Sequence, residues 1–182
     1  GQQVVRNFTK TLMPLSEQDL LDCSDVNWGC DGGTPSDALD DVQTYGGIEG
    51  EKDYPYKAVD SDKCLFKKNK SVMSDKGSFD LPENEQLLKK TVVKYGPVAV
   101  GIYASERFQH YKSGVFSDPD CDYEPNHAVL IVGYGKDPED GDYWIVKNSW
   151  SEAWGEKGYI RMNFGICGIS QDSTIANFHD WN

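Results

Sequence analysis

The chain has 182 residues and a formal net charge of −12, and 38% of its residues are hydrophobic. This composition is typical of a globular protein with one domain or two small lobes, and it excludes a disordered chain. The negative charge argues against binding to nucleic acid or to an anionic membrane surface, because both depend on Lys and Arg side chains. No apolar run reaches the roughly 18 residues of a transmembrane helix.

Helical patterns dominate the first half of the sequence. Residues 1–10 have the apolar spacing of a helix but no cap before it, which indicates the end of a helix that began earlier. Ser16 has the position of an N-cap for a second helix. A third helix is predicted over 35–45, with proline at its start and two glycines after it. Residues 49–79 are expected to be mostly irregular, and a fourth helix is predicted over 82–95 before a Gly-Pro pair.

Strand patterns dominate the second half of the sequence. Four short apolar runs rich in β-branched and aromatic residues predict strands. They cover residues 98–103, 127–134, 143–147 and 159–162. Helices followed by antiparallel strands form an α+β pattern.

The second and third of these runs predict a β-hairpin around a loop rich in Pro, Gly and Asp. Pairing the two runs would bring His127, at the start of the first, next to Asn148, just after the second. A histidine whose ring N–H is held by an amide oxygen has a fixed tautomer and orientation. A general base that serves a nucleophile needs this arrangement. His110 and His179 have no such context, and we expect no special role for them.

Seven motifs carry a resemblance to the papain-like cysteine proteases, in particular to their cathepsin L-type branch. In chain order they are LSEQDLLDC at 15–23, GCDGG at 29–33, YPY at 54–56, GPV at 96–98, NHAV at 126–129, KNSW at 147–150 and CGI at 167–169. The resemblance implies a papain-like α+β fold with two lobes. The left lobe is helical and covers approximately residues 1–80; the right lobe is antiparallel, β-barrel-like, and covers approximately residues 81–182.

The resemblance also implies a Cys-His-Asn site. His127 would be its base and Asn148 the group that orients the base, while the Trp150 ring screens their hydrogen bond from water. Trp154 would flank the far side of the substrate cleft. The residues implied to bind substrate are Gly32, Gly33, Thr34, Pro35, Gly101, Asn126 and Asp172.

Two of these implied subsites have plain alternatives. The glycine pair 32–33 would allow an extended peptide to approach the backbone, although a simple turn would also need glycine. Asp172 would lie at the base of the pocket for the second residue before the cut, where it would allow Arg beside the family's usual Leu or Phe. The alternatives are that Asp172 points to solvent or caps a nearby backbone N–H. Asn126 stands where many family members have Asp. Ser151 stands where glycine is usual, so the loop backbone at Ser151 must suit a residue with a Cβ.

The family's nucleophilic cysteine is absent from the sequence. Its usual spacing from the histidine places it roughly 4 to 24 residues before Gly1. We therefore expect the chain to be truncated at its N-terminus and to be inactive by itself.

Five cysteines are an odd number. By the resemblance, Cys23 pairs with Cys64 and Cys121 pairs with Cys167. Cys30 would then pair with a cysteine of the same absent segment; the alternative is that Cys30 is a buried free thiol.

The function implied by the resemblance is that of a cysteine endopeptidase without a metal or another cofactor. Its substrates would be peptides or proteins. Its partners would be cystatin-type inhibitors or its own propeptide, and the protein would be a monomer. A lysosomal or extracellular location is expected, and the sequons at Asn7 and Asn69 fit a secretory route, although sequons are common by chance. The alternatives are a non-catalytic relative that binds peptides or inhibitors and, less favoured by the glycine and cysteine patterns, another thiol-dependent acyl transferase.

Overall fold

The structure is a computed structural model that describes residues 11–61 and 63–178. The helix end predicted over 1–10, the sequon at Asn7, and His179 lie outside these residues. The described chain divides into two units. The first comprises 11–79 together with 176–178, and the second comprises 80–175.

The first unit contains two α-helices and a short strand pair. These elements are α1 (Glu17–Cys23), α2 (Pro35–Tyr45), β1 (Ile48–Glu49) and β2 (Ser71–Met73), with 3₁₀ turns at Gly29–Asp31 and Lys68–Lys70. The Ser16 hydroxyl accepts the N–H of Asp19 at 2.9 Å, which confirms the predicted cap. Gly46 follows α2 with φ of 84°, the left-handed conformation that commonly ends a helix at glycine.

Buried polar side chains order the irregular part of the first unit. The Asp19 carboxylate accepts the N–H of Glu49 at 2.8 Å, and the Glu49 carboxylate accepts the N–H of Lys67 at 2.6 Å. The Gln18 amide oxygen accepts the N–H of Lys57 at 2.8 Å. Gln18, Asp19 and Glu49 are all buried, so these bonds satisfy backbone groups that have few strand partners.

The second unit is built on a mostly antiparallel sheet. Its elements are α3 (Glu85–Tyr95), β4 (Val98–Ile102), α4 (Glu106–Gln109), β5 (Val115–Phe116), β6 (His127–Asp137), β7 (Gly141–Lys147), β8 (Tyr159–Asn163) and β9 (Ser173–Ala176); the short strand β3 (Ser78–Asp80) lies where the chain passes from one unit to the other. From β9 the strand order is β9-β4-β6-β7-β8-β5, and only the β5–β8 pair within this series is parallel.

The start predicted for the helix over 82–95 was wrong. The helix begins at Glu85, because the Asn84 side chain accepts the N–H of Leu87 at 2.9 Å and acts as the N-cap. Leu88 and Val92 are buried on this helix, while Leu87 is 37% exposed. The sequence also gave no indication of α4, β5 and β9, which are too short for a periodic pattern.

The predicted hairpin is confirmed, and its strands extend further than the apolar runs. Strand β6 reaches Asp137 and pairs with β7 from Leu130↔Lys147 to Asp137↔Gly141. Trp144 at the centre of β7 is fully buried, and its indole N–H donates to the carboxylate of Glu85 at 3.0 Å. Among the described residues, no helix has the length and apolar character needed to cross a bilayer.

One disulfide lies in each unit, Cys23–Cys64 in the first and Cys121–Cys167 in the second. These are the pairings that the resemblance implies. Each closes a loop of more than 40 residues, so each should stabilise its unit by restricting the unfolded chain.

Candidate active site

His127 and Asn148 meet because the β6–β7 hairpin brings their ends together. His127 is the first residue of β6, and Asn148 directly follows β7. The Nε2 atom of His127 lies 2.8 Å from Oδ1 of Asn148. The same Oδ1 accepts the N–H of Ser149 at 2.8 Å, which fixes the orientation of the amide. Because an amide oxygen can only accept, Nε2 is the donor and Nδ1 is left for proton exchange with another group.

Aromatic rings enclose this hydrogen bond. The Trp150 ring stacks on the imidazole of His127 with centroids 4.8 Å apart and an angle of 27°. Phe108 is fully buried and presents its edge to both, at 6.3 Å from His127 and 5.6 Å from Trp150. Asn148 is only 7% exposed. The apolar surroundings strengthen the hydrogen bond by excluding water.

Trp154 supports Trp150 from the side. The two rings meet edge to face at 5.4 Å, and the indole N–H of Trp154 donates to the carbonyl of Gln109 at 3.0 Å. The loop between them turns at Ser151, which has φ of 69°. This is the left-handed conformation that glycine adopts without cost, so the backbone keeps a glycine-like shape at a position that carries a side chain.

A half-buried histidine oriented by a buried asparagine is suited to act as the general base for a thiol nucleophile. The profile described as papain family cysteine protease matches residues 2–177. The chain belongs to the papain family of cysteine proteases.

Cathepsin L proteins are among the relatives of this papain-family chain. A cathepsin L-like protein of Caenorhabditis elegans is 50% identical over 156 residues, which are 83% of this chain and 46% of that protein. Cathepsin L of Sarcophaga peregrina is 47% identical over 171 residues, which are 90% of this chain and 50% of that protein. The chain thus spans about half the length of these relatives.

Solved papain-family structures share the fold. Digestive procathepsin L 3 from the larval midgut of Tenebrio molitor has a TM-score of 0.90 and 43% identity, over 97% of this chain and 59% of that one. Bromelain from Ananas comosus, solved with the inhibitor E64, has a TM-score of 0.86 and 39% identity, over 97% of this chain and 83% of that one. The α+β, papain-like fold and the cathepsin L-type family predicted from the sequence are thereby confirmed.

Gly101 and Asp172, two residues proposed to bind substrate, lie side by side in the second unit. The Gly101 N–H donates to the Asp172 carbonyl at 2.7 Å. A Cβ on Gly101 would lie 3.0 Å from both the Asp172 carboxylate and the Pro125 ring. Asp172 itself is exposed. The space that Gly101 leaves is therefore bordered by an acidic group within reach of water.

Pro125 and Ala128 also border this position, and the sequence reasoning missed both. Ala128 is the strand partner of Gly101 in the β4–β6 register. The signal that could have found Ala128 is strand register, because partners across an antiparallel pair share one face of a sheet. Asn126 uses its side-chain oxygen to accept the N–H of Ala104 at 2.7 Å, so it anchors the backbone just before His127.

The glycine pair lies in the first unit, and its two members have different roles. Gly32 has φ of 117°, and its N–H and C=O are both hydrogen-bonded inside the loop, to Gly29 and Trp28 respectively. A Cβ on Gly33 would clash with the side-chain oxygen of Asn27. Within the described part of the chain, the peptide N–H and C=O of Gly33 make no hydrogen bond.

Thr34 and Pro35 form the start of α2. The Thr34 hydroxyl donates to the Asp37 carboxylate at 2.6 Å and accepts the Asp37 N–H at 3.4 Å, as an N-cap does. Pro35 occupies the first helical turn. Both residues therefore have a structural reason to be present, whatever their contact with substrate.

The alternative that Cys30 is a buried thiol was wrong, because Cys30 is exposed and free. Its N–H donates to the Asp60 carboxylate at 2.7 Å. The hydrogen bond from the thiol to the same carboxylate raises the pKa of Cys30. Since the thiolate is the reactive form of cysteine, this environment is the opposite of the one that activates a nucleophile.

Within residues 11–61 and 63–178, no group of three or more His, Cys, Asp or Glu side chains could hold a metal ion. Because Nε2 of His127 is held by Asn148, the imidazole is oriented and can accept and return a proton at Nδ1.

Proposed function

We propose that the whole protein is a papain-type cysteine endopeptidase in which His127 acts as general base and acid. The observation that carries the proposal is the 2.8 Å hydrogen bond between His127 and Asn148 under the ring of Trp150. This arrangement fixes the tautomer and the orientation of the imidazole, a condition for proton transfer but not for simple peptide binding.

The thiol of the reaction is expected to come from a segment that the sequence does not contain. Four cysteines are in disulfides, and the pKa of Cys30 is raised. When such a thiol donates its proton to Nδ1 of His127, the thiolate attacks the peptide carbonyl and a sulfur–carbon bond forms. The C–N bond then breaks as the imidazolium returns the proton to the leaving amine, and water hydrolyses the thioester.

Gly33 would bind the substrate backbone. Its N–H and C=O, which make no hydrogen bond among the described residues, can pair with an extended peptide as another strand would. The Asn27 side chain lies against Gly33, and its Oδ1 accepts the N–H of Thr34 at 2.7 Å, which helps to fix the turn that presents the two groups.

Asp172 would influence which side chain is accepted at the second position before the cut. Its carboxylate borders the open position at Gly101, and a carboxylate there favours a cationic side chain. Because Asp172 is exposed, the preference for Arg should be modest, as for other solvated ion pairs.

The proposed substrates are peptides and proteins. The proposed partners are a cystatin-type inhibitor or the protein's own propeptide. A monomer in the lysosome or outside the cell is the proposed form. The disulfides Cys23–Cys64 and Cys121–Cys167 support a secretory route, since disulfides persist in oxidising compartments.

The test is hydrolysis of a fluorogenic dipeptide by the form of the protein that includes the segment predicted to precede Gly1. His127→Ala should lower kcat/KM by at least about 1,000-fold, because both proton transfers depend on it. His110→Ala is the matched control: this exposed histidine hydrogen-bonds the carbonyl of Glu106, and its loss should leave the rate unchanged.

Equal rates for the wild type and His127→Ala would refute the proposed role. Absence of hydrolysis with retained, reversible binding of an intact peptide would favour the alternative, a non-catalytic relative that binds peptides or inhibitors.

A further inference from the structure

The loop of residues 148–158, which we call the tryptophan loop, carries Asn148 and Trp150 but has a costly backbone. Ser151 and Lys157 have φ of 69° and 57°, although neither is glycine. A left-handed conformation is unfavourable for a residue with a side chain, because its Cβ then lies too close to a backbone carbonyl oxygen. Local preference therefore does not select this conformation, and contacts with the rest of the unit must hold it.

Glu156 makes three such contacts through one carboxylate. Arg161, on strand β8, donates to it from Nη2 at 2.6 Å and from Nε at 3.0 Å. The N–H of Gly114, just before β5, donates to it at 3.0 Å. A fork of two N–H groups on a carboxylate is directional, so it fixes position as well as providing attraction. The pKa of Glu156 is lowered, chiefly by Arg161, so the pair remains charged at mildly acidic pH.

A series of contacts connects Gly114, the partner of Glu156, with the aromatic rings that cover the imidazole. The Tyr111 hydroxyl donates to the carbonyl of Gly114 at 2.6 Å, and the Tyr111 ring lies 5.7 Å from that of Trp154. Trp154 meets Trp150, which stacks on His127. The N–H of Asn148 donates to the carbonyl of Gly158 at 2.9 Å, which closes the tryptophan loop at its base.

We propose that Glu156 is a positioning residue for the His127–Asn148 pair: its contacts with Arg161 and Gly114 hold the tryptophan loop in the conformation that places Asn148 and Trp150 against the imidazole. Glu156 does not touch the imidazole and takes no part in proton transfer. The catalytic consequence rests on the proposed peptidase function, but the positioning itself does not.

The first experiment measures positioning without any substrate. The His127 Nε2 proton, held by Asn148 and covered by Trp150, should exchange slowly with water and give a resolved NMR signal. In Glu156→Gln, which keeps the size but loses the charge and the forked pairing, this proton should exchange at least tenfold faster. Asp142→Asn is the matched control. It removes the Lys89–Asp142 ion pair of the same unit, at 3.7 Å and with similar exposure, and should change exchange less than twofold.

A purely structural role would lower the melting temperature without changing this exchange, and that result would overturn the proposal. If Glu156→Gln does not fold, Arg161→Lys provides the same test, because it keeps the charge and removes the fork. Exchange that is unchanged in a folded variant of either kind counts against the proposal.

The second experiment uses the active form of the protein. Glu156→Gln should lower kcat about tenfold and leave KM within twofold, because a displaced imidazole affects the chemical step and not peptide binding. A raised KM at unchanged kcat would overturn this part. If the protein proves not to be a peptidase, the exchange result still decides whether Glu156 positions the pair.

Discussion

Replacing Asp75 by Asn should stabilise the first unit at neutral pH and have little effect at acidic pH. Burial raises the pKa of Asp75 from its ordinary value of 3.8 to about 6, and the nearby Asp40 carboxylate contributes in the same direction. The Asp75 carboxylate accepts the N–H of Gly77 at 3.2 Å, a bond that Asn can keep. The substitution thus removes the charge and preserves the local contact.

The magnitude follows from the difference in proton affinity between the folded and unfolded chains. A raised carboxyl pKa means that the folded state holds the proton more tightly, so stability is greatest below the ordinary pKa of 3.8 and falls until the pH passes about 6. At about 1.4 kcal/mol per pKa unit, the ionised Asp75 costs at most about 3 kcal/mol at pH 7. At pH 4 the same linkage gives a cost of only about 0.6 kcal/mol for the ionised carboxylate. Asp75 is only half-buried, so solvent screening reduces both values, and we expect a gain of about 1–2 kcal/mol at pH 7.

The assay is urea unfolding of wild type and Asp75→Asn at pH 4 and pH 7, followed by circular dichroism. Asp120→Asn is the control, because Asp120 is exposed and its replacement should change the unfolding free energy by less than about 0.5 kcal/mol at either pH. A gain of equal size at both values of pH would show that removing the charge is not the cause. No gain at pH 7 would refute the reasoning altogether.

Three further predictions concern single side chains. Ser151→Gly should stabilise the protein by about 0.5–1 kcal/mol in thermal or urea unfolding. The reason is that relief of the left-handed strain at φ of 69° exceeds the cost of the added entropy of the unfolded chain. Ser149→Gly is the control: Ser149 does not have a positive φ, so this substitution should destabilise the protein. In the active protein, Asp172→Ala should lower the ratio of kcat/KM for Arg over Leu at the second position before the cut by about two- to fivefold, as expected for an exposed ion pair; an unchanged ratio excludes Asp172 from specificity. Asn69 is exposed on the 3₁₀ turn Lys68–Lys70, so it should carry a glycan when the protein is made in a eukaryotic secretory host. Treatment with a peptide N-glycosidase should then lower the mass of the protein. Asn69→Gln should abolish the part of that change due to Asn69, whereas Ser71→Thr should retain it.

The pairing of His127 with Asn148 was predictable because it depends on one local element. The two residues are 21 positions apart, and a hairpin with clear apolar strands brings them together. The caps at Ser16 and Gly46 were predictable for a similar reason, since side-chain and backbone chemistry within a few residues determines them. The start of α3 was misjudged because Pro82 and Asn84 both suit a helix beginning, and only the bond to Leu87 distinguishes them.

The sequence by itself therefore determined the family, the presence of α1, α2 and α3, the main strands and the histidine–asparagine pair, because their signals are local or lie in motifs. Tertiary structure alone decided which distant groups meet: Glu156 with Gly114 across 42 residues, and the Asp172 carboxylate against Gly101. It also decided that Asp75 is buried enough to shift its pKa to about 6. Such contacts depend on strand register and on packing over the whole unit, and no short-range pattern in the chain encodes them.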